Sequence, residues 1–290
     1  MDKLKPLESL VSGGARGCVM KRLILCADDF AANEAASQGI GALARAGRIS
    51  ATSAMVLSPR WAGDAALLQE VRGQIDVGLH LDWTSVFAKA AGHGVSLSGA
   101  MFKAVVLGGF DQAAARVVID RQLDAFEAVW KSPPDHIDGH QHVQQFCGIR
   151  QALVAAVRAR YAINNRAYFR LSMGAKSDKS FKTKVIAGLG AAALAGLANT
   201  AGIACAPALS GIYDFTGGAQ RYAQLMDHWL HDAPEGAIVM CHPAAWAEVG
   251  DEVGSARAWE CAYLASDAFS QALTRAGVTL ARGAQIHFDA

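Results

Sequence analysis

Four apolar runs of this chain end on side chains able to bind metal ions or move protons. "LILCADD" closes on Asp28 and Asp29, "IDVGLH" on His80 and "AIVMCHP" on His242, while "HIDGHQHV" carries His136, Asp138, His140 and His142. Taken singly, each has an ordinary explanation. Asp28 and Asp29 suit the cap and first turn of a following helix, whose positive end favours acids. His80 fits a buried imidazole bonded to a carbonyl. The alternating His136, Asp138, His140 and His142 fit the polar face of a strand, although Gly139 within the run and Pro133–Pro134 before it disfavour a regular one. His242 before Pro243 fits the end of a strand. These explanations account poorly for all four groups standing together at strand ends. His93, His228, His231 and His287 lack such support, and solvated or locally bonded roles suffice for them.

Strand ends matter because parallel β/α architecture opens them all on one face, where residues remote in sequence converge. Apolar runs predict strands over Leu23–Ala27, Ser50–Leu57, Gln74–His80, His136–Asp138, Tyr168–Leu171, Ala237–Cys241 and Val278–Ala281. Helical patterns fall over Asn33–Ala46, Ala62–Val71, Gln112–Trp130, Ile149–Tyr161, Arg221–Asp232 and Ala256–Ala276. This alternation is that of βαβ units. No linker divides the chain and no GxGxxG follows the first strand, so a closed or partly open β/α barrel over residues 20–290 is expected rather than an open doubly wound sheet. Residues 1–19 read as an N-terminal extension outside that single domain.

With 290 residues, 52% of them hydrophobic, the chain can bury a large core. Its 27 basic and 26 acidic residues leave a net charge of +1, which gives no field to gather nucleic acid. The six cysteines form neither a CxxC pair nor a cluster, so reduced thiols are expected rather than a zinc ribbon or a disulfide framework. The N-terminal residues mix Lys, Glu, Arg and Gly, unlike a signal peptide, and a cytoplasmic protein is expected. Val185 to Tyr213 carries no formal charge. Its Ala/Gly content, with Asn199, Thr200 and Pro207, predicts a buried helix and a loop rather than a membrane span, with a lipid-facing surface as the competing reading.

The segments "ADDFAANEAASQGI", "ISATSAMV", "VGLHL", "HIDGHQHV" and "VMCHPA", in that order, resemble the motifs of the YdjC-type carbohydrate deacetylases, the ChbG/HpnK family. The likeness runs from about Arg22 to Ala281, loosely over Phe87–Val117 and Ala162–Ser210. The resemblance implies a β/α barrel, often distorted, and metal-dependent removal of acetyl from an N-acetylated sugar. It implies Asp29, His80 and His140 as ligands of one divalent ion, magnesium or zinc. Three features depart from the family pattern: Cys26 stands for Asn, Ala31 for Gly, and "HQHVQQF" for a fuller histidine cluster. Gln141 and Gln144 thus bear on substrate contacts, while the ligand positions are retained.

Amide hydrolysis also needs a base for water and an acid for the departing amine. Asp28, beside a ligand, is the candidate base, and His242 the candidate acid because an imidazole titrates near neutral pH. Asp138 or His142 would orient a ligand from behind, Asp138 being preferred. Trp83, Tyr213, Phe215 and Trp246 are candidate sugar-facing aromatics and equally candidate core residues. Arg257 and Glu260 align with polar family positions and suit a salt-linked structural role equally well. The expected substrate is an oligosaccharide, an amino sugar or a glycolipid, and a homodimer is the expected assembly. Two rival functions fit the same residues. One is a metallo-phosphoesterase with two ions about 3.5–4 Å apart; the other is an inactive sugar- or lipid-binding protein on the same scaffold.

Overall fold

The computed structural model describes residues 20–165, 167–178 and 180–288. The expected extension, residues 1–19, lies outside them. In chain order the elements begin with β1 (Lys21–Phe30), α1 (Glu34–Arg45), β2 (Ala51–Ala54) and two single turns, α2 (Trp61–Asp64) and α3 (Ala66–Gln69). Next come β3 (Asp76–Leu81), α4 (Val86–Ala90), α5 (Leu97–Val105), α6 (Gln112–Trp130), β4 (His136–Gly139), α7 (Ile149–Arg160) and β5 (Tyr168–Phe169). The chain continues through α8 (Phe181–Gly188), α9 (Ala191–Thr200), β6 (Leu209–Ser210), α10 (Gly218–Asp232) and β7 (Ile238–Cys241). It closes with α11 (Gly254–Ala265), α12 (Asp267–Ala276) and β8 (Val278–Leu280).

All the strand pairs are parallel, in the order β5-β4-β3-β2-β1-β7-β6, with β8 on the start of β1. At one end of this order Phe169 of β5 bridges to Cys205, in the segment that leads into β6, with Phe169 N–H donating to Ala204 O and Ala206 N–H to Phe169 O. The result is a distorted α/β barrel without a β5–β6 ladder. β1 is almost wholly buried, as expected of a strand paired on both edges and covered on both faces. One large hydrophobic cluster joins the sheet to its helices, from Leu23 and Leu25 through Phe126, Phe146 and Phe169 to Phe269.

Several elements differ from their sequence expectations. The patterned stretch around residues 62–71 forms only the turns α2 and α3, and 256–276 breaks into α11 and α12 where Ser266 turns extended. α4, α5 and the two-residue β6 were not expected, because two strand residues are too few for a periodicity signal. The uncharged run is not a buried helix followed by a loop. α8, which runs into it, buries only Thr183, whereas α9 buries Ala191, Leu194 and Ala198. No single helix among the described residues is long and apolar enough to cross a membrane; α8 and α9 pass together by length and composition but bend by 47°. The five described cysteines are free.

Candidate active site

Adjacent residues of a strand ordinarily face opposite ways. Asp28 and Asp29 nevertheless line one cavity at the end of β1. The backbone achieves this by turning left-handed at Asp29 (φ 67°) and Ala31 (φ 69°), beside a break in the β1–β2 register. Aspartate tolerates that conformation better than most residues, and alanine poorly, so Ala31 carries strain. A second reversal, at Gln141 and His142, follows β4 and brings His140 and His142 to the same cavity. Beyond the acids the chain restarts as α1, capped by Asn33, whose side chain accepts from Ala36 N. Gly39 lets α1 approach the loop after His242, since a Cβ there would lie 2.6 Å from Ala245 N.

Three donors converge on one point. His80 Nε2 lies 3.3 Å and His140 Nδ1 3.2 Å from Asp29 Oδ1, and the three donor atoms all lie within 4.8 Å of one another. Ligands about 2.1 Å from an ion stand about 3.4 Å apart at a tetrahedral angle and about 3.0 Å apart at a right angle, so the spacing fits a single divalent ion. The surroundings fit as well. Asp29 Oδ2 is engaged by Arg257 Nη2 at 2.7 Å, which leaves Oδ1 to the cluster. His80 Nδ1 donates to Asp138 Oδ1 at 2.6 Å, the carboxylate–imidazole support common behind metal-binding histidines. Burial opposes ionisation of Asp29, but Arg257, His140 and His80 outweigh it and hold its carboxyl well below the usual range. Burial likewise lowers His80, and Asp138 and Asp28 overcome it, raising the imidazole to about 10 in the ion-free protein.

Asp28 is set apart from this cluster by Arg170, at the end of β5. Nη1 and Nη2 donate to its two oxygens at 2.6 and 2.8 Å, and Nη1 also stands 3.0 Å from Asp138 Oδ2. The guanidinium is wholly buried. Burial pushes the Asp28 carboxyl up, and Arg170 with His80 more than offsets it, so Asp28 stays ionised. Arg170 is the site residue that sequence reasoning missed. Its signal was a lone charge inside the apolar run "AYFRLS", since arginine is almost never fully buried unless paired.

His242 arrives from the end of β7, with Nε2 3.8 Å from Asp28 Oδ2. Its backbone N–H donates to Glu260 Oε2, and Tyr213 OH donates to Glu260 Oε1. Burial lowers the His242 imidazole to about 4 and His142 to about 3, so both are neutral at rest. This corrects the expectation that His242 titrates near neutral pH. His142 Nδ1 pairs with Ser172 Oγ at 2.9 Å, away from the Asp29–His80–His140 cluster. Asp138, not His142, contacts His80.

The cavity has a volume of about 900 Å³. Tyr213, Phe215 and Arg257 line it. Trp83 does not: it is 2% exposed and packs edge-on to Phe110 and His93 in the core, so it is not a sugar-facing residue here. Trp246 also stands outside the lining, 44% exposed on the loop after β7. His136 is buried behind the site, stacked on Tyr168.

The chain is similar to known proteins. A family model described as "YdjC-like protein" matches residues 22–275. The chain is 28% identical over 149 residues to a carbohydrate deacetylase of Homo sapiens, covering 48% of this chain and 46% of that one. It is 31% identical over 150 residues to a chitooligosaccharide deacetylase of Enterobacter sp. (strain 638), covering 50% and 59%. The matches thus span about half the length of these curated relatives. A crystal structure from Enterococcus faecalis V583, described as a candidate cellobiose-phosphate cleavage protein, has the same fold, with a TM-score of 0.65 at 21% identity over 92% of this chain and 98% of that one. Taken with the barrel and its acid–histidine cluster, the match from residue 22 to residue 275 places this chain in the YdjC-like protein family.

Proposed function

We propose that this chain is a divalent-metal-dependent hydrolase that removes acetyl from an N-acetylated sugar: an oligosaccharide, an amino sugar or a glycolipid. The observation that carries this is the convergence of Asp29, His80 and His140 beside an ionised, Arg170-bound Asp28 in one cavity. One carboxylate and two imidazoles suit zinc or another transition ion by ligand type, and magnesium if water completes the shell. The ion's contribution is Lewis acidity, which makes water a nucleophile near neutral pH and polarises the amide carbonyl.

The protein supplies the rest. Asp28 takes a proton from the attacking water while Arg170 fixes both its oxygens, so the base keeps one orientation. The water oxygen bonds to the carbonyl carbon, the C–N bond breaks, and the amine nitrogen needs a proton. His242 Nε2, 3.8 Å from Asp28, is placed to relay it. Because His242 is neutral at rest, it receives that proton within the cycle and holds it briefly as a strong acid. Arg257 keeps Asp29 in place, and Tyr213 and Phe215 offer the sugar an aromatic wall.

Arg170 weighs against the two-ion phosphoesterase. Its guanidinium already engages Asp28 and Asp138, the carboxylates a second ion would need, and adds a positive charge where that ion would sit. The supported base weighs against an inactive binding protein. Acetate release from a panel of N-acetylated glycans tests the reading, with chelated and ion-restored protein compared. Release that depends on the ion supports it. Absence of acetate from every ion-loaded reaction, or phosphate-ester turnover with two ions per chain, overturns it.

A further inference from the structure

Among the described residues, thirteen large hydrophobic side chains are exposed, and ten of them belong to three segments that border the cavity. The first is α4, α5 and the turn after it, with Val86, Leu97, Phe102, Val105, Val106 and Leu107. The second is α8, with Phe181, 82% exposed, and Val185. The third is the loop after β7, with Trp246 and Val249, the latter 99% exposed. All three lie in connections that leave the carboxyl ends of strands, and each sends side chains into the cavity wall: Leu97 and Met101, Phe181 and Ile186, and Val253. The apolar rim is therefore continuous with an apolar wall.

Charge divides the rim into a basic and an acidic part. Between Val86 and Leu107 the only formal charges are Lys89 and Lys103, and α8 carries Lys182 and Lys184 without an acid. The loop after β7 is the acidic edge, with Glu248, Asp251 and Glu252, of which Asp251 is paired to Arg257. Exposed apolar groups interspersed with lysines match the surface of an anionic bilayer, where the apolar side chains enter the acyl boundary and the ammonium groups meet headgroups.

We infer that the lysine-bearing rim formed by α4–α5 and α8 docks on an anionic lipid surface, with the acidic loop after β7 at its margin. This goes beyond the hydrolase reading, and its test does not depend on activity. The whole protein is floated with vesicles of phosphatidylcholine alone, or with about one third phosphatidylglycerol, at low and high salt. The combined Val105→Ser, Val106→Ser and Leu107→Ser variant removes rim groups that do not line the cavity. Lys103→Gln with Lys184→Gln removes charge, and Ile163→Ser, on the connection entering β5, controls for the opposite face. Binding that needs the anionic lipid, weakens with salt and falls roughly tenfold or more in the first two variants, but not in Ile163→Ser, is the expected result. An unchanged melting temperature shows that the rim variants remain folded. Absence of wild-type flotation, equal flotation of the rim variants, or equal loss in Ile163→Ser overturns the inference. So does a wild-type dimer in sedimentation that the triple substitution dissociates, which would assign the rim to a second copy of the chain.

Discussion

Replacing Arg170 by methionine keeps an unbranched side chain at the end of β5 but strips Asp28 and Asp138 of their shared cation. With charge centres about 4 Å apart and an effective dielectric of about 20, the guanidinium favours each ionised carboxylate by about 4 kcal/mol. Breaking a buried pair costs about 3–5 kcal/mol of stability when the remaining charge is left without a partner. Asp28 avoids part of that cost by taking up a proton, and a protonated Asp28 is no longer a base. Acetate release by Arg170→Met should therefore fall about 10²–10⁴-fold near neutral pH, the range for loss of a general base. It should recover with rising pH, because alkali restores the carboxylate. The wild type, with Asp28 held below the usual carboxylate range, should show no such limb near neutrality. The assay is kcat/KM for acetate release across about pH 5 to 9, with metal content and melting temperature measured on the same samples. Arg170→Lys, which keeps the charge but loses the paired donors, should lie between. A folded, metal-loaded Arg170→Met with the wild-type pH profile would refute Arg170's control of the base.

Asp29→Ala should lose bound metal and activity together, whereas Asp28→Asn should retain metal by elemental analysis and lose about 10²–10⁴-fold in turnover; wild-type turnover in Asp28→Asn would remove it from the mechanism. Ion binding should release close to one proton near neutral pH, because His80, raised to about 10 without an ion, must become neutral to bind one. Titration calorimetry in buffers of different ionisation enthalpy reads that proton, and the same raised pKa stabilises the ion-free fold below about pH 6.5, a contribution lost as pH climbs through about 10. Gly78→Ala should lower the melting temperature, at a cost of about 1–3 kcal/mol, since its Cβ would sit 2.4 Å from the buried His136 ring. An unchanged melt would show that the ring has room to move.

Residues that announce themselves by type at the end of an apolar run were legible before any coordinates. Asp28, Asp29, His80, His140 and His242 all line one cavity; parallel β/α alternation brings the strand ends together, and the reversed backbone at Asp29 and at Gln141–His142 turns the paired acids and His140 into it. Arg170 was hidden because its run read as a plain strand, and only β1–β5 packing shows that its charge is buried against Asp28. Trp83 was misplaced because an aromatic ring serves a core or a sugar equally well until its neighbours are known. His242 was found but its chemistry misjudged: titration depends on burial, which sequence does not display. α4, α5 and α8 lie in the stretches of loosest family likeness, and what they cover is decided by tertiary contact.

The reversed backbone at Asp29 has a mechanical consequence. Asp28 and Asp29 sit on neighbouring α-carbons of one interior strand, so the separation of those α-carbons is set by covalent geometry rather than by the surface helices. On the proposed mechanism, base and ion anchor are therefore joined through a single peptide unit.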